Sequence, residues 1–321
     1  MLFRSDPVNG SATQSILVLK GGPDAEREVS IASGTRVATA LATFDDLRVV
    51  DRTIERPDVD ELRGMVEDAR ADVVFPVLHG PWGEGGSLQA LLEAMGIAFV
   101  GSGSVAASHA MDKLRTKATV ASLGIATPAA VAIEADRPVE LPPPLVVKPV
   151  ADGSSVGVRM ARTSKELEAL LGLEDAGHGR LMAEALVEGR ELTVGLLGGR
   201  PLPIIEIVPS EGWYDYEAKY ERSDTRYVVE PSLPAGVAER LHEWSGRIAE
   251  AMSIRDLGRV DWMLPAGDAP DPRPMFLEVN TIPGMTDHSL LPKAAAATGV
   301  DFPTLCRSIV DSAATGPSRT A

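Results

Sequence analysis

The opening hundred residues alternate short apolar runs with glycine-rich loops. Ile16 to Leu19 stops at Gly21-Gly22, and helical spacing follows from about Val29 to Leu41. Asp72 to Val77 (DVVFPV) ends at His79-Gly80, before a second helical stretch over Leu88 to Met95. Ala98 to Val100 then leads into Gly101-Ser-Gly103. Runs of this length bounded by glycine read as buried strands. Strands alternating with helices predict a parallel sheet, whose ligand-bearing loops lie at the strand carboxyl ends.

The pattern changes at Pro128 and again at Pro138 to Pro144, where LPPP precedes the strand-like LVVKPV and no helix can continue. A second region follows, with a glycine-serine loop at Asp152 to Gly157, a helix near Lys165 to Leu171, and strands near Leu181 to Ala185 and Glu191 to Leu197. A third holds a long helix over Val237 to Met252, strands at Gly258 to Leu264 and Met275 to Val279, and closing helices after Ser289. At 321 residues the chain has room for two domains or three small ones. The expected division is a tail over 1–14, then 15–108, 109–188 and 189–315, with a second tail over 316–321.

Charge and cysteine content exclude several functions. Thirty-one Lys and Arg face 46 Asp and Glu, a formal net charge of −15, which argues against nucleic acid as principal partner. The single cysteine, Cys306, excludes an internal disulfide framework and a cysteine-based zinc cluster. No run approaches the roughly 18 apolar residues of a membrane span. The first residues lack an apolar core and read as a loose tail, so the expected location is the cytoplasm.

Some motifs lead nowhere. Gly101-Ser-Gly103-Ser-Val-Ala106 matches the dinucleotide fingerprint, yet no acid lies between Asp112 and Glu134 to hold a ribose. His242-Glu243 is half a zinc motif, with Gly246 where its second histidine belongs, and no G-x-x-x-x-G-K-[ST] exists.

The strongest chemical signal is Arg259 and Asp261 on one strand and Glu278 and Asn280 on the next. Residues two apart share a strand face, so each strand offers a pair of polar groups to one surface. Acid and amide oxygens are the hard ligands that Mg²⁺ prefers, and Arg259 beside them suits phosphate or developing negative charge. The plainer alternative is the wet face of a half-buried sheet. Asn280, one of two asparagines in the chain, tips the balance because it sits between an acid and a Pro-Gly turn.

Cations come from Lys113, Lys148 and Lys219, three of only seven lysines. Lys148 adjoins the loop Gly153-Ser-Ser-Val-Gly157, whose backbone N–H groups and hydroxyls, Ser155 among them, can close over phosphates. Glu26 stands at the mouth of the first strand-loop-helix unit, where an acid can receive an ammonium, although capping alone would account for Glu26 and Ser30. His79 is an eligible acid-base or carboxylate-binding group, or a satisfied loop histidine.

Taken in order, GGPDAEREVS, LHGPWGEGG, MDKLRTK, VVKPVADGSSVGV, YDYEAKY, GRVDWML and LEVNTIPGMTDHSLLP resemble the motif series of the D-alanine:D-alanine ligases, in the ATP-grasp superfamily. The resemblance runs from about Ile16 to about Ile309. It implies an α/β and α+β chain: a Rossmann-like amino-terminal domain followed by a two-lobed ATP-grasp fold. It also implies ATP with two Mg²⁺ ions, for which Mn²⁺ can substitute, activation by a monovalent cation, and a homodimer. By the same resemblance Lys113, Lys148 and Ser155 meet the nucleotide phosphates, Glu184, Glu191 and Val187 meet adenine and ribose, and Asp261, Glu278 and Asn280 hold the metal. Glu26 and His79 match the site for the first D-alanine. Lys219, Ser289 and the N–H of Leu290 match the site for the second substrate. Ser154, Tyr220 and Glu26 match a link that closes the loops, and Arg259 with the N–H of Gly284 matches the oxyanion stabilisers. Two positions depart from the usual pattern: Gly85 stands where many relatives carry an acid, and Ala185 replaces a common lysine. A catalytically silent nucleotide-binding regulator and another carboxylate-amine ligase are the rival readings.

Overall fold

In the computed structural model, residues 13–134, 137–153, 157–171, 179–209, 225–267 and 270–315 are described. Strand β1 (Gln14–Gly21) is buried from Ser15 onward. Its side chains alternate between two cores: Ile16 and Val18 pack with Val37 and Leu41, while Leu17 and Leu19 pack with Leu62 and Leu88. Helices therefore cover both faces: α1 (Arg27–Leu41) lies on one, and α2 (Val59–Ala69) and α4 (Ser87–Ala94) on the other, after the short turn α3 (Gly80–Gly83). The neighbours of β1 are β2 (Leu47–Ile54) and β3 (Val73–Pro76), and β4 (Ala98–Phe99) extends the parallel order to β2-β1-β3-β4. The apolar-run reading passes over β2 because it is an edge strand with charged, exposed positions, LRVVDRTI.

Helices α5 (Ser104–Met111) and α6 (Lys113–Ser122) lead out of this sheet. The second sheet, order β5-β8-β6-β7, is antiparallel and consists of β5 (Ala130–Ala132), β6 (Leu145–Pro149), β7 (Arg159–Ala161) and β8 (Leu181–Ala185). Helix α7 (Ser164–Leu171) inserts Leu167 against Leu145, Val147 and Ala183.

The third sheet is also antiparallel, order β11-β10-β9-β12-β13. Its strands are β9 (Gly189–Leu197), β10 (Arg200–Val208), β11 (Arg226–Val229), β12 (Leu257–Pro265) and β13 (Met275–Asn280). Helix α8 (Val237–Ala251) covers one face with Leu241, Trp244 and Ile248 around the fully buried Trp262. Trp262 meets Phe276 edge-on at 5.9 Å and donates Nε1–H to Ser245 Oγ at 3.2 Å, which satisfies its one polar atom. Ala110 and Val120, from α5 and α6, join this same core. Helix α9 (Leu290–Ala297) places Leu290 and Ala294 beside Ile205 and Ile207 of β10.

The last helix, α10 (Phe302–Thr315), turns back to the first sheet, where Leu305 and Ile309 pack with Val18 and Phe75. Asp256 ties the corner together. Its carboxylate accepts from Gly101 N–H and from Ser312 Oγ, each at 2.8 Å, and its carbonyl accepts from Gly198 N–H at 2.8 Å. Ser104 N–H donates to Glu93 at 2.8 Å. The backbone donors Gly101 and Ser104 of the glycine fingerprint therefore point at protein carboxylates.

Candidate active site

The antiparallel register of β12 and β13 sets Arg259 opposite Asn280 and Asp261 opposite Glu278, with an irregularity just after Asp261. Arg259 grips Asp261 with two parallel bonds, Nε at 2.8 Å and Nη2 at 2.7 Å. Asp261 Oδ1 also accepts from Thr193 Oγ1 at 2.6 Å, across from β9. Glu278 faces Lys113 Nζ at 3.4 Å. Asn280 Oδ1 accepts from Ile282 N–H at 2.9 Å, which turns the chain into the loop that carries Gly284 and Ser289. Helix α1 holds that loop: Ser33 Oγ accepts from Met285 N–H at 3.1 Å, and Arg36 donates to Met285 O at 2.9 Å. Ser289 is the N-cap of α9 and accepts from Thr286 N–H at 2.9 Å, so Leu290 opens the helix where backbone N–H groups lack helical partners.

Two cavities, each of about 560 Å³, meet at this strand pair. Both volumes suit small-molecule ligands. The first is lined by Glu26, Glu84, Asn280, Gly284, Ser289 and Leu290 among others. Lys148, Glu184, Val187, Glu191 and Asp261 line part of the second. Lys113, Asp152, Gly153, Arg259 and Glu278 belong to both walls. The two carboxylates and the amide oxygen of Asp261, Glu278 and Asn280 thus lie along the seam, and their hard-oxygen chemistry fits a divalent cation such as Mg²⁺.

The second cavity has a charged wall. Lys148 on β6 meets Glu184 Oε1 on β8 at 2.7 Å, and Lys117 on α6 pairs with Glu184 Oε2. Burial by itself would raise the Glu184 acid, but the two ammonium groups prevail and hold it below the ordinary carboxylate range. Burial likewise opposes the Lys148 charge, and Glu184 and Glu278 overcome it, leaving the ammonium above its ordinary value. Lys117 goes the other way, with burial dominating and bringing it down to about 8.

Glu26 occupies the N-cap position of α1, but its side chain makes no capping hydrogen bond and lines the first cavity. Ser30 instead joins strand ends, accepting from Gly21 N–H at 2.8 Å and donating to Val77 O. Glu84 Oε1 accepts from Gly80 N–H at 3.2 Å, and burial, then the neighbouring Glu26, pushes the Glu84 acid up to about 8. His79 is 4% exposed and is not part of the cavity lining. Its Nε2 is buried without a hydrogen-bond partner among the described residues, and burial lowers the imidazole below its ordinary value against the pull of Glu26. Ser154, Ser155, Lys219 and Tyr220 fall outside the described residues. Glu84 and Lys117 are among the charged side chains that sequence reasoning missed, as is Asp152 in the wall of both cavities. Glu84 and Lys117 each sit inside a quoted motif, LHGPWGEGG and MDKLRTK, and the signal was an acid or lysine on an otherwise small or buried segment.

A parallel, helix-covered first sheet is followed by two antiparallel sheets, with a charged cavity running into a second pocket over β12 and β13, and this arrangement is shared with solved ATP-grasp ligases. Residues 129–311 match the family model described as D-ala D-ala ligase C-terminus, and residues 48–102 match D-ala D-ala ligase N-terminus. The D-alanine--D-alanine ligase of Dechloromonas aromatica is 42% identical over 311 residues, covering 95% of this chain and 99% of the relative. That of Stutzerimonas stutzeri is 43% identical over 302 residues, covering 92% and 93%. Among solved structures, the Bacillus anthracis D-alanine--D-alanine ligase complexed with ATP superposes with a TM-score of 0.81 at 32% identity, covering 94% of this chain and 97% of that one. The VanG D-Ala:D-Ser ligase of Enterococcus faecalis gives 0.77 at 26% identity, covering 94% and 99%. The chain belongs to the D-alanine--D-alanine ligase family.

Proposed function

We propose that this protein joins two D-alanine molecules at the expense of ATP, forming D-alanyl-D-alanine for peptidoglycan precursors in the cytoplasm. The observation that carries this reading is the seam between the cavities. Arg259 and Glu278 border both, so a carboxylate in the first pocket and a terminal phosphate in the second can meet there.

The chemistry follows from leaving groups, because a carboxylate oxygen is too poor a leaving group for an amine to displace. The first D-alanine, its ammonium on Glu26 and its carboxylate near His79, attacks the γ-phosphate of ATP and becomes D-alanyl phosphate while ADP leaves. The second, with its carboxylate at Ser289 and the N–H of Leu290, attacks that acyl carbon as the free amine, and phosphate departs from the tetrahedral intermediate. Arg259 and the N–H of Gly284 stabilise the oxyanion. Lys113, Lys148 and Ser155 hold phosphates, and Glu184, Glu191 and Val187 receive adenine and ribose.

Two Mg²⁺ ions on Asp261, Glu278 and Asn280, replaceable by Mn²⁺, would neutralise phosphoryl charge, and a monovalent cation would activate. By the family resemblance Ser154 and Tyr220 link with Glu26 to exclude water, and Lys219 serves the second substrate. Three domains divide the chain near 15–108, 109–188 and 189–315, although α5 crosses the first boundary and α10 packs back on the first sheet, and two chains form a dimer. Incubation of the pure protein with ATP, Mg²⁺ and D-alanine should release ADP and dipeptide together; saturating substrates that give neither would reject the assignment.

A further inference from the structure

Lys117 lines neither cavity, and its side chain is only 5% exposed. It cannot reach a ligand, yet it is held in place from three sides. Its Nζ meets Glu184 Oε2, donates to Thr127 Oγ1 at 2.8 Å and reaches Phe276 O at 3.5 Å. Thr127 Oγ1 passes its own hydrogen to Phe276 O at 2.8 Å. On the cavity side the other oxygen of Glu184 faces Lys148 Nζ at 2.7 Å. One buried carboxylate therefore lies between two ammonium groups, of which only Lys148 borders the cavity.

Charge counting gives this arrangement a purpose. With Lys117 present, the acid is balanced from behind and the trio keeps one net positive charge on the cavity side. With Lys117 removed, the whole attraction of Glu184 falls on Lys148 and the trio becomes neutral. We propose that Lys117 is a positioning residue of the nucleotide cavity: it neutralises Glu184 from the rear so that the Lys148 ammonium remains available to a nucleotide phosphate. Burial brings the Lys117 ammonium down to about 8, still charged at neutral pH, as this role requires. Glu278 and Glu191 also act on Lys148, so the balance is narrow and the loss of one cation is felt. The inference rests on the nucleotide reading of the second cavity.

The test compares two probes that share a base and differ in phosphate, ADP and adenosine, titrated calorimetrically at neutral pH with excess Mg²⁺. The ratio of their dissociation constants isolates the phosphate contribution. Lys117→Met should cut that ratio about tenfold or more, the effect of one uncompensated charge a few ångströms from the phosphate. Adenosine affinity itself should stay within about threefold, a change of less than one kcal/mol. Lys117→Arg should keep the ratio. The double variant Lys117→Met/Glu184→Gln should restore it, because Lys148 then has no buried acid beside it. Glu184→Gln keeps the volume of the acid and an oxygen that can accept from Lys148, and Glu278 and Glu191 still act on that ammonium, so this variant remains informative where the single one fails to fold. Parallel loss of ADP and adenosine binding in the single variant overturns the proposal, as does a double variant whose ratio stays low. A wild-type protein that binds no ADP would instead remove the nucleotide reading beneath it.

Discussion

Replacing Arg259 with Met tests the seam most directly. Two bonds of 2.8 and 2.7 Å join its guanidinium to Asp261, and the side chains are 16% and 9% exposed, so this pair is largely desolvated. In the variant, Asp261 keeps the Thr193 hydroxyl but loses its counter-charge. Breaking a buried pair from one side costs about 3–5 kcal/mol. A protein with about 8 kcal/mol of stability would retain about 4, roughly a thousand folded molecules per unfolded one. The folded population is thus preserved, and any larger loss of turnover belongs to chemistry. Removing one oxyanion donor lowers kcat about 10²- to 10³-fold, or about 2.7–4 kcal/mol of transition-state stabilisation. Initial rates of ADP release at saturating D-alanine and ATP measure this, alongside ADP affinity by calorimetry, which should change less than about threefold because the methionine stem keeps the wall in place. Arg259→Lys should fall between, since an ammonium cannot form the fork. A methionine variant that turns over within about threefold of wild type refutes the role, and one that loses ADP binding as steeply as turnover reassigns it to the nucleotide.

The acid of Glu84, pushed from its ordinary 4.5 up to about 8, is protonated in the folded chain where the unfolded chain is ionised. The folded state binds the extra proton, so this group's contribution to stability is full at low pH and is lost as pH rises toward 8. Urea unfolding across that range should show the slope in wild type and a flatter profile in Glu84→Gln; identical profiles would count against it. At Gly85 a Cβ would sit 2.2 Å from the Pro81 carbonyl oxygen, so Gly85→Asp, which would install the acid that the family resemblance implies, should destabilise by about 1–3 kcal/mol in denaturant unfolding. Asp256→Ala removes the acceptor of two 2.8 Å bonds, one from the buried Gly101 N–H, and should cost about 3–6 kcal/mol. Because Asp256 has φ 54°, Asp256→Gly should recover roughly 1 kcal/mol of that loss; equal unfolding midpoints for the two variants would contradict the strain argument.

Short-range pattern accounts for what could be read early. Buried strands such as β1 and β3 announce themselves as apolar runs closed by glycine, and the pairs Arg259/Asp261 and Glu278/Asn280 show their common face through the two-residue period of a strand. Edge strand β2 stayed hidden because its exposed residues look like a loop. Glu26 could be read as a cap or as a binding group from sequence. The backbone decided, since the residue takes the N-cap position while its side chain turns into the cavity.

The amino-acid order by itself determined which segments become strands and helices, and which strand faces carry charge, because those properties depend on neighbours a few residues away. Tertiary structure decided the rest. Only folding brings Lys117 and Lys148 of separate elements onto one carboxylate, sets β12 against β13 so that four polar side chains meet, and returns α10 to the first sheet. Burial and charge pairing are properties of that assembly, so the low Lys117, the raised Glu84 and the seam between the cavities exist only once distant parts of the chain have excluded water together.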